Sequence, residues 1–174
     1  KIFSILSYLL FILGSENDMF FAKCEIKRNF YSWMFLDILL KYRIDRDSLG
    51  PVKIPAGAYY GPFTGRAIKQ YNVTGKTSHR NLIKSFVMIK RSAAIANMKT
   101  KSINRKQGTA IVKACDKILT GKYIEQFLVD MINSGAGTAF NMNSNEVITN
   151  VALRGLGKKQ GQYQFLHPND HVNM

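Results

Sequence analysis

The stretch Ser134-Gly135-Ala136-Gly137-Thr138-Ala139-Phe140-Asn141-Met142-Asn143-Ser144-Asn145-Glu146 decides how the chain is read. Its glycines let the backbone come close to a ligand. The helix start that follows offers unpaired amides and the positive end of a helix dipole, which suits an anion and most simply a carboxylate. The residues beyond predict a helix over 143–156, with Gly157 just past its end as the stop. A short glycine-rich turn is a weak signal by itself, and this one has neither Walker nor Rossmann spacing.

Upstream, apolar residues recur at Leu82, Phe86, Ile89, Ala93 and Ala96, a period that predicts an amphipathic helix over 81–101 with those residues inward. Asn104 and Gln107 read as a capping box, in which the Asn oxygen accepts the Gln107 amide and the Gln side chain reaches back. A second helix therefore starts there, burying Ile111, Ala114 or Cys115, Ile118 and Leu119, and Gly121 supplies a left-handed stop. Residues 123–127 add a short turn. Before the helices, residues 43–60 hold short apolar runs broken by Gly50-Pro51 and Pro55, which suits an extended or hairpin entry. The fold class is mainly α with that short entry.

Downstream lies His167-Pro168-Asn169-Asp170-His171-Val172-Asn173, where two imidazoles, two amides and one carboxylate project from a proline-fixed turn. Asn169 and Asp170 also suit the cap of a helix, with His167 as an ordinary loop residue. The spacing matches no metal-ligand motif.

The 174 residues allow one domain with a real core, and the composition excludes wholesale disorder. Net charge is +14, with 20 basic and 7 acidic residues from Arg43 onward, and between Arg80 and Lys122 the only acid is Asp116. Such a surface can draw nucleic acid, anionic membrane or a dianionic metabolite. The basic residues are spread round predicted helices without stacking aromatics between them, so a nucleic-acid module is the lesser reading. Binding that weakens steeply with salt would mark it. Cys24 and Cys115 form neither a zinc spacing nor a disulfide framework, and Cys115 reads as a core residue.

Residues 1–42 do not match the rest. Residues 2–13 are almost continuously apolar, too short to span a bilayer comfortably, and residues 19–42 are aromatic-rich without clear periodicity. This head is expected to be foreign to the body, with Met34 as the true start. A membrane anchor is the weaker reading.

Four ordered segments carry a resemblance: Ala58-Tyr59-Tyr60-Gly61, Thr64-Gly65-Arg66-Ala67-Ile68, the Gly-Ala-Gly-Thr segment with its Asn-Met-Asn-x-Asn-Glu-Val continuation, and the His-Pro-Asn-Asp-His-Val-Asn stretch. Together, over residues 43–174, they resemble the N-terminal lyase domain of the aspartase/class II fumarase superfamily. The resemblance implies a cytoplasmic, largely helical homotetramer without cofactor. Such an enzyme releases fumarate from a dicarboxylate by trans elimination through an aci-carboxylate carbanion. It implies that Thr138, with Gly137 and Asn141, binds a substrate carboxylate, and that His167, Asn169 and Asp170 lie at the active-site mouth.

It also implies that the family's serine base, a Ser-Ser/Thr-Asn-Asp segment and the central helical bundle lie beyond Met174. The chain by itself is therefore expected to be inactive and not to form the tetramer. Fumarases usually carry Ser where this chain has Ala136, Trp where it has Tyr60, and Arg where it has Gln164. These departures tilt the resemblance to the aspartase branch, with the hydratase as the alternative. A neutral Gln cannot make the bidentate charge-assisted bonds of an Arg.

Overall fold

The structure, a computed structural model, describes residues 42–133 and 135–174. The expectation for the head, apart from Tyr42, lies outside the described residues.

Strands β1 (Tyr42–Asp47) and β2 (Gly50–Pro55) form a two-stranded hairpin. Alternation along β2 buries Val52 and Ile54 and turns Pro51, Lys53 and Pro55 outward. The connecting turn is local chemistry. Asp47 Oδ1 accepts the Leu49 amide at 2.9 Å, and Gly50 takes a φ of +106° that favours glycine. Arg43 on β1 then ties down the chain after β2, donating to the carbonyls of Ala58 at 2.6 Å and Tyr60 at 2.7 Å while pairing with Asp45 at 2.9 Å.

Helix α1 (Pro62–Gln70) contains the segment 64–68, for which the sequence reading predicts no helix. Pro62 suits its first turn, because a missing N–H there costs no helical bond. Gly65 brings α1 directly onto the hairpin, since a Cβ at that position would lie 2.6 Å from Ile54 Cδ1.

Helices α2 (Arg80–Lys99) and α3 (Arg105–Leu119) pack as a pair. His79 caps α2, its Nδ1 accepting the Asn81 amide at 3.2 Å. The inward face of α2 differs from the expected one by a residue: Ile83, Val87, Lys90 and Ala94 are buried, whereas Leu82 and Ile89 are 41% and 62% exposed. Phe86 and Ala93 are half-buried and Ala96 is exposed. Two neighbouring stripes of α2 are apolar, so periodicity admits both registers. The one adopted places a lysine inside, a choice that hydrophobicity alone would not make.

The capping oxygen of Asn104 accepts the Gln107 amide at 2.8 Å as expected. The Gln107 side chain does not return to the Asn104 backbone. It accepts from the Asn104 side-chain amide and donates to the Phe165 carbonyl at 3.1 Å, joining α3 to the C-terminal segment. Ile111, Ala114, Cys115 and Ile118 are buried, Leu119 is half-buried, and Gly121 ends the helix at a φ of +97°. Burial pushes the Cys115 thiol up to about 12, which makes it a core residue and not a nucleophile.

A 3-10 turn (Ile124–Gln126) leads to Asp130. This carboxylate accepts the amides of Val73 at 3.1 Å, Thr74 at 2.8 Å, Gly75 at 2.9 Å and Ile132 at 2.8 Å, with the Thr74 hydroxyl at 2.8 Å. It organises the loop before α2. Burial by itself would raise the Asp130 carboxyl, but the bonds from Ile132, Thr74 and Gly75 outweigh it and hold it at about 2. A depressed carboxyl stabilises the fold fully above its ordinary value of about 3.9, and that contribution is lost as pH falls towards the folded value. Urea midpoints followed from about pH 5 down to about pH 2 should therefore fall for the parent. In Asp130→Asn this fall should be shallower, from a lower starting point. Equal slopes in the two proteins would count against this assignment.

Helix α4 (Thr138–Gly155) starts five residues before the expected Asn143 and ends where Gly157, at a φ of +73°, stops the chain. Helical patterning is hidden at its start by the polar run Asn141 to Asn145. From Asn143 to Leu153 every residue is buried, because α1, α2 and α3 all pack against this helix. A helix buried all round by other elements needs no polar face. It therefore carries Asn143, Asn145, Glu146, Thr149 and Asn150 into the interior.

Candidate active site

The polar side chains inside α4 are a scaffold for the motifs. Glu146 is 2% exposed. Its Oε2 accepts the amides of Gly61 at 2.9 Å and Thr64 at 3.0 Å, and its Oε1 accepts that of Phe63 at 2.8 Å. Gly61 and the first residues of α1 have no capping side chain of their own, so a carboxylate from a distant helix supplies the acceptors and meets the positive end of the α1 dipole. Burial pushes the Glu146 carboxyl up, opposed by its bonds at Thr64, Phe63 and Gly61. Asn150 works alongside it, donating to the Tyr59 carbonyl at 2.9 Å and accepting the Gly161 amide at 2.9 Å. Tyr163 closes the network, its hydroxyl reaching Asp45 at 3.3 Å, and burial followed by the nearby Glu146 and Asp45 charges keeps that phenol protonated.

Gly61 is forced by this packing. A Cβ there would collide with the Tyr163 hydroxyl and lie 2.7 Å from Glu146 Oε1. Gly61→Ala is expected to destabilise the chain by about 1–3 kcal/mol, the usual cost of overpacking, measured as a shift in the urea midpoint. An unchanged midpoint would show that the network tolerates the methyl group.

The turn before α4 runs left-handed through three residues, Gly135 at φ +82°, Ala136 at +50° and Gly137 at +93°. A non-glycine residue in that region is uncommon and costs conformational energy. The turn is closed by Thr138, whose amide and hydroxyl both donate to the Gly135 carbonyl, at 2.9 Å and 2.6 Å. Thr138 is exposed, so its hydroxyl can exchange this acceptor for a ligand oxygen by rotation alone. Asn141 follows one turn later, its amide donating to Gly137 O at 3.1 Å.

The His167 stretch forms a single π-helical turn (Pro168–Val172). His167 precedes a proline and is extended, at φ −104° and ψ 140°. It caps the turn itself, Nδ1 accepting the amides of Asn169 and Asp170 at 3.3 Å each, so the capping role falls to the imidazole and not to Asn169 or Asp170. Its own amide donates to His171 Nδ1 at 2.9 Å.

His167 and Asn169 line a cleft of about 400 Å³ with Asp47, Phe63, Met142 and Glu146. Asp170 points to solvent with its side chain 71% exposed. Gly137 and Thr138 do not line this cleft. Of the two predicted groups, only Asn141 bonds to the His167 stretch, and it does so at Asn173, which is not among the predicted site residues, with Nδ2 donating to Oδ1 at 3.0 Å.

Sequence reasoning missed Glu146 as the cap of α1, and Asn150 and Lys90 as interior polar residues. The available signal was a carboxylate set immediately before the apolar pair Val147-Ile148 in the middle of a helix. An ionisable group there needs buried partners.

A family profile described as lyase matches residues 50–174. Over 132 residues the chain is 48% identical to an aspartate ammonia-lyase of a Bacillus species, covering 76% of this chain and 28% of that protein. Among solved structures, a fumarate lyase:delta crystallin of Brucella melitensis superposes with a TM-score of 0.75 at 44% identity, over 76% of this chain and 29% of that one. A class II fumarase of Schistosoma mansoni gives 0.72 at 37% identity, over 76% and 28%. The fold is thus that of a fumarate lyase N-terminal domain. The chain belongs to the lyase family, within the aspartase/class II fumarase superfamily. It spans little more than a quarter of the length of the relatives it matches.

Proposed function

We propose that the protein containing this chain is an aspartate ammonia-lyase, which converts L-aspartate to fumarate and ammonia. The observation that carries this reading is the 48% identity over 132 residues to an aspartate ammonia-lyase. Ala136, Tyr60 and Gln164, at positions where fumarases usually carry Ser, Trp and Arg, support the same branch.

The chemistry asks for donors at a carboxylate. A base removes the proton at C3, the electron pair moves into the adjacent carboxylate to give an aci-carboxylate with a second negative charge, and the pair then expels the amine from C2. Donors placed in advance where that charge develops lower the barrier. The Gly137–Thr138 turn offers a hydroxyl and the start of α4, an 18-residue helix whose dipole favours an anion. In this reading Thr138, Gly137 and Asn141 hold a substrate carboxylate, and His167, Asn169 and Asp170 border the entrance. The base comes from a serine outside this chain, and the enzyme works without a cofactor.

The working assembly is a homotetramer in the cytoplasm, with neither nucleic acid nor membrane as a partner. Met88 and Ile89, exposed at 53% and 62% on α2, support an interface there. Among the described residues, no helix is long and apolar enough to cross a membrane.

The second reading is a class II fumarate hydratase, supported by the Schistosoma mansoni likeness. The full-length protein should be incubated with L-aspartate, and separately with L-malate, while fumarate absorbance is followed. Fumarate from aspartate is the expected result. Fumarate from malate alone would move the assignment to the hydratase.

A further inference from the structure

Lys90 lies on the inner face of α2 and is only 8% exposed. Burying an ammonium group forfeits its hydration unless the charge is answered nearby. Among the described residues it meets no carboxylate, and its hydrogen bond is from Nζ to Asn173 Oδ1 at 2.7 Å. The same oxygen accepts Asn141 Nδ2 at 3.0 Å and Asn145 Nδ2 at 3.2 Å. A carbonyl oxygen has two lone pairs, so three donors, one of them cationic, converge on a single acceptor. Asn145 is fully buried, and its own Oδ1 has no hydrogen-bond partner.

An apolar side chain of Lys90's length would fill the space without the desolvation cost, so packing stability does not explain the charge. Its position does. Asn173 ends the π-helical turn, and Asn141 stands one helical turn after Thr138, so the ammonium anchors from α2 the oxygen at which the two segments that carry the site motifs meet. Burial lowers the Lys90 pKa from its usual value, as expected of an ammonium with so little compensation.

We propose that Lys90 is a positioning residue. Through Asn173 and Asn141 it fixes the first turn of α4, and with it Thr138, in the geometry that receives a substrate carboxylate. The tether itself is independent of the reaction; its use for a carboxylate rests on the function proposed above.

Two measurements test this with Lys90→Met, a neutral side chain of similar length. In the 174-residue chain, amide hydrogen exchange at Asn141, whose N–H is bonded to the Gly137 carbonyl, and at Met142 and Asn143 behind it should quicken about tenfold while α3 is unchanged. In the full-length protein, KM for L-aspartate should rise about tenfold with kcat within about threefold. Lys90→Leu, a second neutral side chain that leaves the Asn141 and Asn145 bonds to Asn173 in place, serves if Lys90→Met does not fold.

Unchanged exchange at the turn, or exchange that quickens equally throughout the chain, overturns the tether. Quickened exchange at the turn with an unchanged KM overturns the positioning role. If the parent protein releases no fumarate from aspartate, the functional reading fails, while the exchange result still decides whether Lys90 holds the turn.

Discussion

Glu146→Ala is expected to destabilise the chain by about 3–5 kcal/mol, among the largest losses a single substitution gives. Three amides at the start of α1 lose their acceptor, those of Gly61 and Thr64 in buried positions, and a cavity replaces the carboxyl group. Glu146→Gln should cost less, about 1–2 kcal/mol, because one carbonyl oxygen remains to accept while the NH2 group faces an amide donor. Urea unfolding of parent and both variants gives the two differences. An alanine variant within about 1 kcal/mol of the parent would mean that α1 is held by its packing on β2 and not by this carboxylate.

That prediction marks the boundary of what the sequence discloses. The stops at Gly121 and Gly157, the cap at Asn104 and the hairpin entry are legible because each depends on residues a few positions apart. Glu146 is different: its partners precede it by more than 80 residues, and its own helix signals a need for buried partners without identifying them. The register of α2 is illegible for a related reason. Its two apolar stripes are nearly equivalent by periodicity, and the choice falls to a lysine whose partner, Asn173, is 83 residues away. The motifs were readable as a resemblance, yet much of their content proves architectural. Gly61 and Glu146 belong to one packing arrangement, since the missing Cβ of the first leaves room for the carboxylate of the second.

The site itself is legible only in part. Residue type marks the glycine-rich turn before α4 as an anion site, the His167 stretch is placed at the site only by the resemblance, and the structure adds that the two segments meet at Asn141 and Asn173. It also places the cleft beside His167 and Asn169 away from Thr138, a separation that no linear pattern encodes.

Thr138→Val in the full-length protein is expected to lower L-aspartate turnover by about 10²-fold, the usual cost of losing one donor to a developing oxyanion. Stability should change far less. The side chain stays β-branched, its position is exposed, and the lost bond to the Gly135 carbonyl is a neutral one of about 0.5–1.5 kcal/mol that water can replace. Thr138→Ser keeps the hydroxyl and should keep most of the activity, which separates loss of the donor from disturbance of the left-handed turn. Steady-state rates and urea midpoints are measured for all three proteins. If the valine variant turns over aspartate as fast as the parent, Thr138 is not a substrate ligand. If serine and valine lose activity equally, the residue acts through the shape of the Gly135–Gly137 turn and not through its hydroxyl.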